Sequence, residues 1–146
     1  MAAKAPQNYA NHTRYVVGYH VVAFFLLFVN LAWSVVQAFN HFGVASIIGV
    51  LLAVALLLLY FYARLFAMTV QDRVIRLEMR LRLGQLLPAD LKPRIGEFTV
   101  GQLVALRFAS DAELPALARK VLDERIASRA EIKKLVKDWQ ADELRA

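Results

Sequence analysis

The chain has 146 residues, of which 59% are hydrophobic, and no Lys, Arg, Asp or Glu occurs between Tyr15 and Ala63. A soluble domain of this size does not carry so long an uncharged stretch, so the composition excludes an ordinary water-soluble globular fold. The formal net charge is +6. The chain has no Cys, and this excludes disulfides, thiol catalysis and thiolate metal sites.

Residues 1–15 are polar without a hydrophobic period, and we expect a lead-in that lies in the cytoplasm. Residues 16–39 and 44–66 are each long enough to cross a bilayer as a helix. Between them, residues 40–43 include the polar Asn40 and His41 and the flexible Gly43, which predict a turn. A signal peptide is the alternative for the first stretch, but its apolar core, typically about 7–15 residues, would be shorter. The sequence therefore predicts a transmembrane hairpin over residues 16–66.

The positions of Lys and Arg predict the orientation of this hairpin, because cationic flanks are retained in the cytoplasm. The turn carries neither residue type, whereas Lys4 and Arg14 precede the first span and Arg64 opens an arginine-rich stretch after the second. Both termini are therefore predicted to face the cytoplasm. The modest positive charge suits anionic membrane lipids better than nucleic acid.

Four polar residues fall on one face of the first predicted span: His20, Asn30, Ser34 and Gln37. In an antiparallel hairpin this face would meet small residues of the second span, with Asn30 opposite Ala53. Two interpretations stay open: hydrogen bonds inside one hairpin, or a water-lined pore between several copies. His20 lies near the cytoplasmic boundary and is interpreted as an interfacial histidine in preference to a proton relay.

Residues 44–87 predict one long helix that leaves the membrane, with residues 67–87 as its cytoplasmic extension. Positions at heptad spacing along this helix form a stripe without charged residues. Within the extension, the stripe consists of Val70, Val74, Leu77 and Leu81. A second apolar stripe lies opposite, at Ile75, Met79, Leu83 and Leu86. We expect the tail to cover the second stripe and a further copy of the chain to cover the first, which predicts a homo-oligomer.

Several arginines lie at the end of the second predicted span and in the extension. Four of them are candidate contacts for lipid headgroups: Arg64, Arg73, Arg76 and Arg80. A flank that is merely solvated, relieved in part by Asp72 and Glu78, is the alternative interpretation. Spacing alone leaves the two alternatives open.

Residues 88–146 predict a helical cytoplasmic tail, in which residues 88–98 are a connector. Thr99, Ser110 and Ser128 each precede Gln or Glu by three residues, the spacing of a capping box, and so predict three short helix starts. The last of these helices is expected to extend to Trp139 on its apolar side. Its basic row consists of Arg129, Lys133 and Lys137. Acidic residues beside this row reduce the net positive charge of the helix, so nucleic acid is an unlikely partner.

No nucleotide-binding glycine loop, zinc-type His spacing or nucleophile elbow occurs. The sequence therefore predicts a non-enzyme without cofactor, metal site or catalytic residue. The predicted fold is an all-α membrane protein, a two-helix transmembrane hairpin whose second helix extends into a small helical tail. Two functions follow: a membrane scaffold or adaptor whose tail docks partner proteins, or a small transport or channel subunit that forms a pore by oligomerisation.

Three stretches of sequence carry a resemblance: PQNYANH at residues 6–12, QLVALRFASDAELP at residues 102–115 and KKLVKDW at residues 133–139. Together they resemble a family of small bacterial two-span inner-membrane proteins of uncharacterised function, over nearly the whole chain. The resemblance implies a location in the bacterial inner membrane and a helical cytoplasmic tail. It implies no activity and no residue roles.

Overall fold

The computed structural model describes residues 7–11 and 15–142, and these residues are mostly helical with no β-strand. They divide into two compact units, residues 15–68 and residues 69–142, the latter together with residues 7–11. The predicted all-helical class is confirmed for the described part of the chain. We call the first unit the apolar hairpin and the second the tail domain.

The first helix of the apolar hairpin begins with a π-helical segment, Gly18–Ala23, and continues as α1, Phe24–Asn40. Residues 41–43 form the turn, where Ser46 Oγ accepts a hydrogen bond from the Gly43 amide and donates one to the Gly43 carbonyl. The second helix, α2, is continuous from Val44–Leu86. Two helices, Gly18–Asn40 and Val44–Leu86, are long and apolar enough to cross a membrane.

Two tyrosines join the helices of the hairpin at the end away from the turn. The Tyr19 and Tyr60 rings stack with centroids 4.4 Å apart, and the Tyr60 hydroxyl donates to the Tyr19 carbonyl over 3.1 Å. Near the middle of the hairpin Ala53 is 1% exposed. A small residue at the contact lets the helix backbones approach closely, which is how helices pack where no hydrophobic driving force acts between them.

The tail domain consists of a 3-10 helix, Lys92–Glu97, and three α-helices: α3, Val100–Leu106, α4, Leu114–Asp123, and α5, Arg129–Leu135. They enclose a core to which the last turns of α2 contribute Ile75, Met79 and Leu83, and to which Leu87, directly after α2, also belongs. The predicted second stripe of α2 is thus the α2 side of the core, with Leu86 partly buried beside it. α2 ends at Leu86 because Pro88 follows.

Local capping sets the boundaries of the short helices. Thr99 and Gln102 form a complete capping box at α3, and the Ser128 side chain accepts from the Glu131 amide at α5. Ser110 accepts from the Glu113 amide over 3.3 Å, but the helix proper begins at Leu114, three residues later than an N-cap at Ser110 predicts. The capping spacing therefore locates each start to within a few residues.

The end of α4 contains the one non-glycine residue with positive φ in the described chain, Arg125 at 51°. Its amide donates to the Leu122 carbonyl, and the Ile126 amide donates to the Val121 carbonyl over 3.0 Å. This is the Schellman arrangement that satisfies the last carbonyls of a helix. It turns the chain so that Ile126 enters the core.

The last predicted helix is shorter than the sequence suggested. α5 ends at Leu135, and the chain beyond it is extended, with an isolated antiparallel bridge between Ala109 and Trp139. The amides of Lys137 and Asp138 donate to the Glu113 carboxylate, which gives these backbone groups partners outside a helix. Trp139 is half-buried, and the centroid of its ring lies 4.9 Å from the centroid of the Phe108 ring.

Candidate interaction surface

The apolar stripe of α2 is exposed in the tail domain. Val70, Val74, Leu77 and Leu81 are 59%, 49%, 62% and 63% exposed. Between residues 69 and 142, all of which are described, these four are the only large apolar side chains in the exposed class. The tail domain therefore buries its apolar side chains efficiently everywhere except along this one line, which we call the α2 seam.

The α2 seam lies opposite the core face of the same helix. Positions 75, 79 and 83 point into the core, where Leu83 is fully buried, while positions 74, 77 and 81 are displaced from them by roughly half a helical turn. A helix that is apolar on two sides needs two partners. Within the tail domain one side has its partner and the α2 seam has none.

Charged residues border the α2 seam on both flanks. Arg73 and Arg80 lie on one side and Glu78 on the other, given about 100° of rotation per residue. Arg73 and Glu78 are exposed, and neither forms an ion pair with a described residue. Asp72, on the core side, instead pairs with Arg129 over 3.5 Å.

The four candidate headgroup arginines differ in environment. Arg73 and Arg76 are exposed, whereas Arg64 and Arg80 are half-buried. The Nε of Arg80 is buried and has no hydrogen-bond partner in the described chain. Of these four candidates, the three that lie in the tail domain, Arg73, Arg76 and Arg80, follow one side of α2 at i, i+3 and i+7, so their charges form a row.

The polar face of the first predicted span is only partly covered. Ser34 and Gln37 are half-buried and Asn30 is exposed, although Asn30 was expected opposite the buried Ala53. None of the three side chains makes a hydrogen bond to a residue between 15 and 142 or to residues 7–11. The hairpin alone therefore does not satisfy these amide and hydroxyl groups.

His20 is the exception on that face. It lies in the π-helical segment, where its Nδ1 is 3.1 Å from the Val16 amide nitrogen and 3.0 Å from the Val16 carbonyl oxygen. Its ring stacks on Tyr15 with centroids 4.8 Å apart and meets Tyr19 edge-on. These contacts hold the His20 ring against two aromatic neighbours.

Arg82 has a structural role that sequence reasoning missed. Its guanidinium donates to the Asp111 carboxylate over 2.7 Å, to the Ala109 carbonyl over 2.6 Å and to the Gln140 side chain over 2.7 Å. It also donates to the Arg107 carbonyl over 3.2 Å. One planar cation thus connects α2 to two loops that are distant in sequence, a use that suits the five fixed donors of Arg. Because Arg82 is one of several arginines in α2, nothing in the sequence distinguishes it from the others.

The basic row predicted on the last helix is not a continuous surface. Lys137 lies beyond the end of α5, and Arg129 is paired with Asp72. The ammonium of Lys133 lies 5.2 Å from the centroid of the Phe108 ring, and that of Lys134 lies 5.8 Å from the Tyr9 centroid. These cations serve contacts inside the tail domain.

Ion pairs connect the exposed ends of the short helices. Arg119 donates to Asp90 over 2.7 Å, and this hydrogen bond lowers the pKa of the Asp90 carboxyl below its ordinary value. Arg94 bridges Asp123 and Glu97, which raises the pKa of its guanidinium further. Both pairs lie at the surface and link the connector, residues 88–98, to α4.

No group of three His, Asp or Glu side chains within residues 7–11 and 15–142 is arranged to hold a metal ion. His20 and His41 lie at opposite ends of the first helix and its turn, and His12 lies outside the described residues.

Comparison with known protein families gives one match. The sequence model described as "Family of unknown function (DUF6526)" matches residues 1–146, the full length. No curated protein and no solved structure matches the chain.

Proposed function

The chain belongs to the DUF6526 family, and from the features of the chain itself we propose that it is a non-catalytic integral membrane scaffold or adaptor in the bacterial inner membrane. Its helical tail docks or organises partner proteins in the cytoplasm. The observation that carries the proposal is the exposed α2 seam on a domain that otherwise buries its large apolar side chains. An apolar line of this kind on a folded domain is typical of a protein-association surface.

Membrane insertion of the apolar hairpin is supported by its two long apolar helices and by the absence of charge between Tyr15 and Ala63. The orientation with both termini in the cytoplasm is supported by the arginines that follow the second span and by the uncharged turn. Reporter fusions at Lys4, at His41 and after Ala146 test this topology. We expect the first and third to report the cytoplasm and the second the outer face, and a tail reporter active outside would refute it.

Docking through the tail domain can be tested by comparing proteins that copurify with two variants in membrane discs. Leu83→Asp places a charge in the core and unfolds the tail, whereas Ala116→Asp alters an exposed position of α4. We expect partners in fixed stoichiometry with wild type and Ala116→Asp, and their loss with Leu83→Asp. If the same proteins remain with the unfolded tail, docking through the tail is wrong.

A channel or transport subunit is the second candidate, and one observation favours it. The side chains of Asn30, Ser34 and Gln37 have no hydrogen-bond partner within the described chain, and polar groups that face lipid unpaired are unfavourable. Water in a pore between copies would satisfy them. Ion flux in proteoliposomes that is lost in Asn30→Leu and Ser34→Val would establish this function, and an absence of flux in the wild type would leave the scaffold.

A further inference from the structure

The α2 seam has the residue pattern of a two-stranded coiled coil. In heptad notation Val74 and Leu81 occupy a positions, and Val70 and Leu77 occupy d positions. A β-branched residue at a with Leu at d favours two parallel strands over higher oligomers, and the central pair, Val74 and Leu77, follows this rule. Because all four side chains are exposed, a partner helix can reach them without displacing the core of the tail domain.

The flanks of the α2 seam are complementary for a parallel partner of identical sequence. In a parallel coiled coil a residue at g faces the residue five positions later, at e, on the other strand. Arg73 is at g and Glu78 is at e, so each copy of Arg73 would face Glu78 of the other copy. The next g position is Arg80, and its counterpart at e is Gln85, whose amide oxygen accepts hydrogen bonds.

The proposed membrane insertion, on which this inference rests, also fixes the direction of the partner. Two copies that insert with the same topology bring their α2 helices out of the bilayer in the same direction, so only the parallel pairing is available to them. Insertion confines both copies to the plane of the membrane and so raises their effective concentration. This favours association even though only a short part of each α2 helix lies in water.

We propose that two copies of this chain associate through a parallel two-stranded coiled coil along Val70, Val74, Leu77 and Leu81, with Arg73 of each copy facing Glu78 of the other. This deepens the proposed scaffold function, because the protein that covers the α2 seam is then a second copy of the chain, and the resulting dimer presents two tail domains to the cytoplasm.

Disulfide trapping tests the contact directly, since the native chain has no Cys and a single substitution gives a unique thiol. In oxidised membranes Val74→Cys and Leu77→Cys should each form a covalent dimer, because a and d residues of parallel strands meet their own counterparts. Arg76→Cys, at an exposed c position on the same helix, is the matched control and should stay monomeric. Monomers at all three positions, a heterologous adduct in place of the dimer, or equal dimer yields at position 76 would overturn the proposal.

Charge reversal tests the register. Arg73→Glu and Glu78→Arg each place like charges across the dimer twice, and each should reduce the trapped Val74→Cys dimer or its association constant by about tenfold at low salt. The double variant Arg73→Glu with Glu78→Arg restores opposite charges and should recover the wild-type level. Both positions are exposed and lack ion pairs within the described chain, so the variants leave the tail core intact. A double variant as weak as either single variant would overturn the parallel register.

These outcomes separate the coiled coil from the scaffold function. Trapped dimers together with flux that depends on Asn30 would keep the coiled coil and refute the scaffold. Absent dimers together with stoichiometric partners that require a folded tail would refute the coiled coil and keep the scaffold.

Discussion

The apolar hairpin and the tail domain distribute apolar side chains in opposite ways. In residues 15–68 the only fully buried residue is Ala53, while aromatic and aliphatic side chains such as Trp33, Phe39 and Leu59 are exposed. In residues 69–142 the same residue types form a continuous core. The second pattern is typical of a domain that folds in water, whereas the first suits the hydrocarbon environment that the proposed membrane insertion provides.

This comparison identifies the α2 seam as the exception in the tail domain. Leu81 is 63% exposed, as a residue of the hairpin would be, yet it lies on the helix that supplies fully buried Leu83 to the core. Exposure of this kind, on a domain that otherwise buries its large apolar side chains, is the observation on which the proposed association rests.

Truncating matched leucines on the two faces of α2 should have the largest difference in effect. Leu83→Ala leaves a cavity in the tail core and should lower the free energy of unfolding by about 2–5 kcal/mol. Leu81→Ala removes an exposed side chain and should change it by less than about 0.5 kcal/mol in a monomeric background. Denaturation followed by Trp139 fluorescence in a Trp33→Phe background measures both. Equal losses would mean that the seam belongs to the core.

A charge in the hairpin should oppose insertion, whereas the same charge on the tail surface should not. Leu58→Arg introduces a cation into the second apolar span and should cost about 3 kcal/mol of insertion free energy. Ala116→Arg, at an exposed position of the tail domain, is the control. Alkaline extraction of membranes measures the inserted fraction, and full retention of Leu58→Arg would show that this segment does not cross hydrocarbon.

Much of the helical architecture was accessible from periodicity and capping. The two long apolar helices follow from composition, and the stripe at Ile75, Met79 and Leu83 predicted the face that enters the tail core. The Thr99 and Gln102 spacing predicted a capping box that forms in the structure. Such signals are local, since one helical turn contains all the residues that they involve.

The features that sequence reasoning missed depend on contacts between distant residues. The end of α5 at Leu135 depends on Glu113, which supplies acceptors to the amides of Lys137 and Asp138. The role of Arg82 depends on carbonyls and side chains that lie 25 to 58 positions further along the chain. The periodicity of the segment around residue 82 contains no information about which loop folds back against it.

Gln102 offers a test of how much a single buried polar group specifies the tail core. It is 7% exposed, its Oε1 accepts from the Thr99 amide, and its Nε2 donates to the Ile126 carbonyl over 2.9 Å. Gln102→Leu would leave both backbone groups unpaired and should cost about 1–3 kcal/mol of unfolding free energy. Thr99→Ala removes only the cap and should cost about 1 kcal/mol. A Leu variant as stable as wild type would show that water or rearrangement satisfies these groups.

The smallest effect should come from the exposed pair of Asp90 and Arg119. The hydrogen bond from Arg119 lowers the Asp90 pKa in the folded state below 3.8, so the pair contributes stability above that pH and loses it as the pH falls through the lower, folded-state pKa. Arg119→Gln should therefore reduce tail stability slightly at neutral pH, and its stability should converge with that of wild type in acid. NMR titration of the Asp90 carboxyl measures the pKa directly, which should rise towards its ordinary value in Arg119→Gln. A stability difference that does not change with pH, or an Asp90 pKa that is the same in both proteins, would show that the pair acts only through packing.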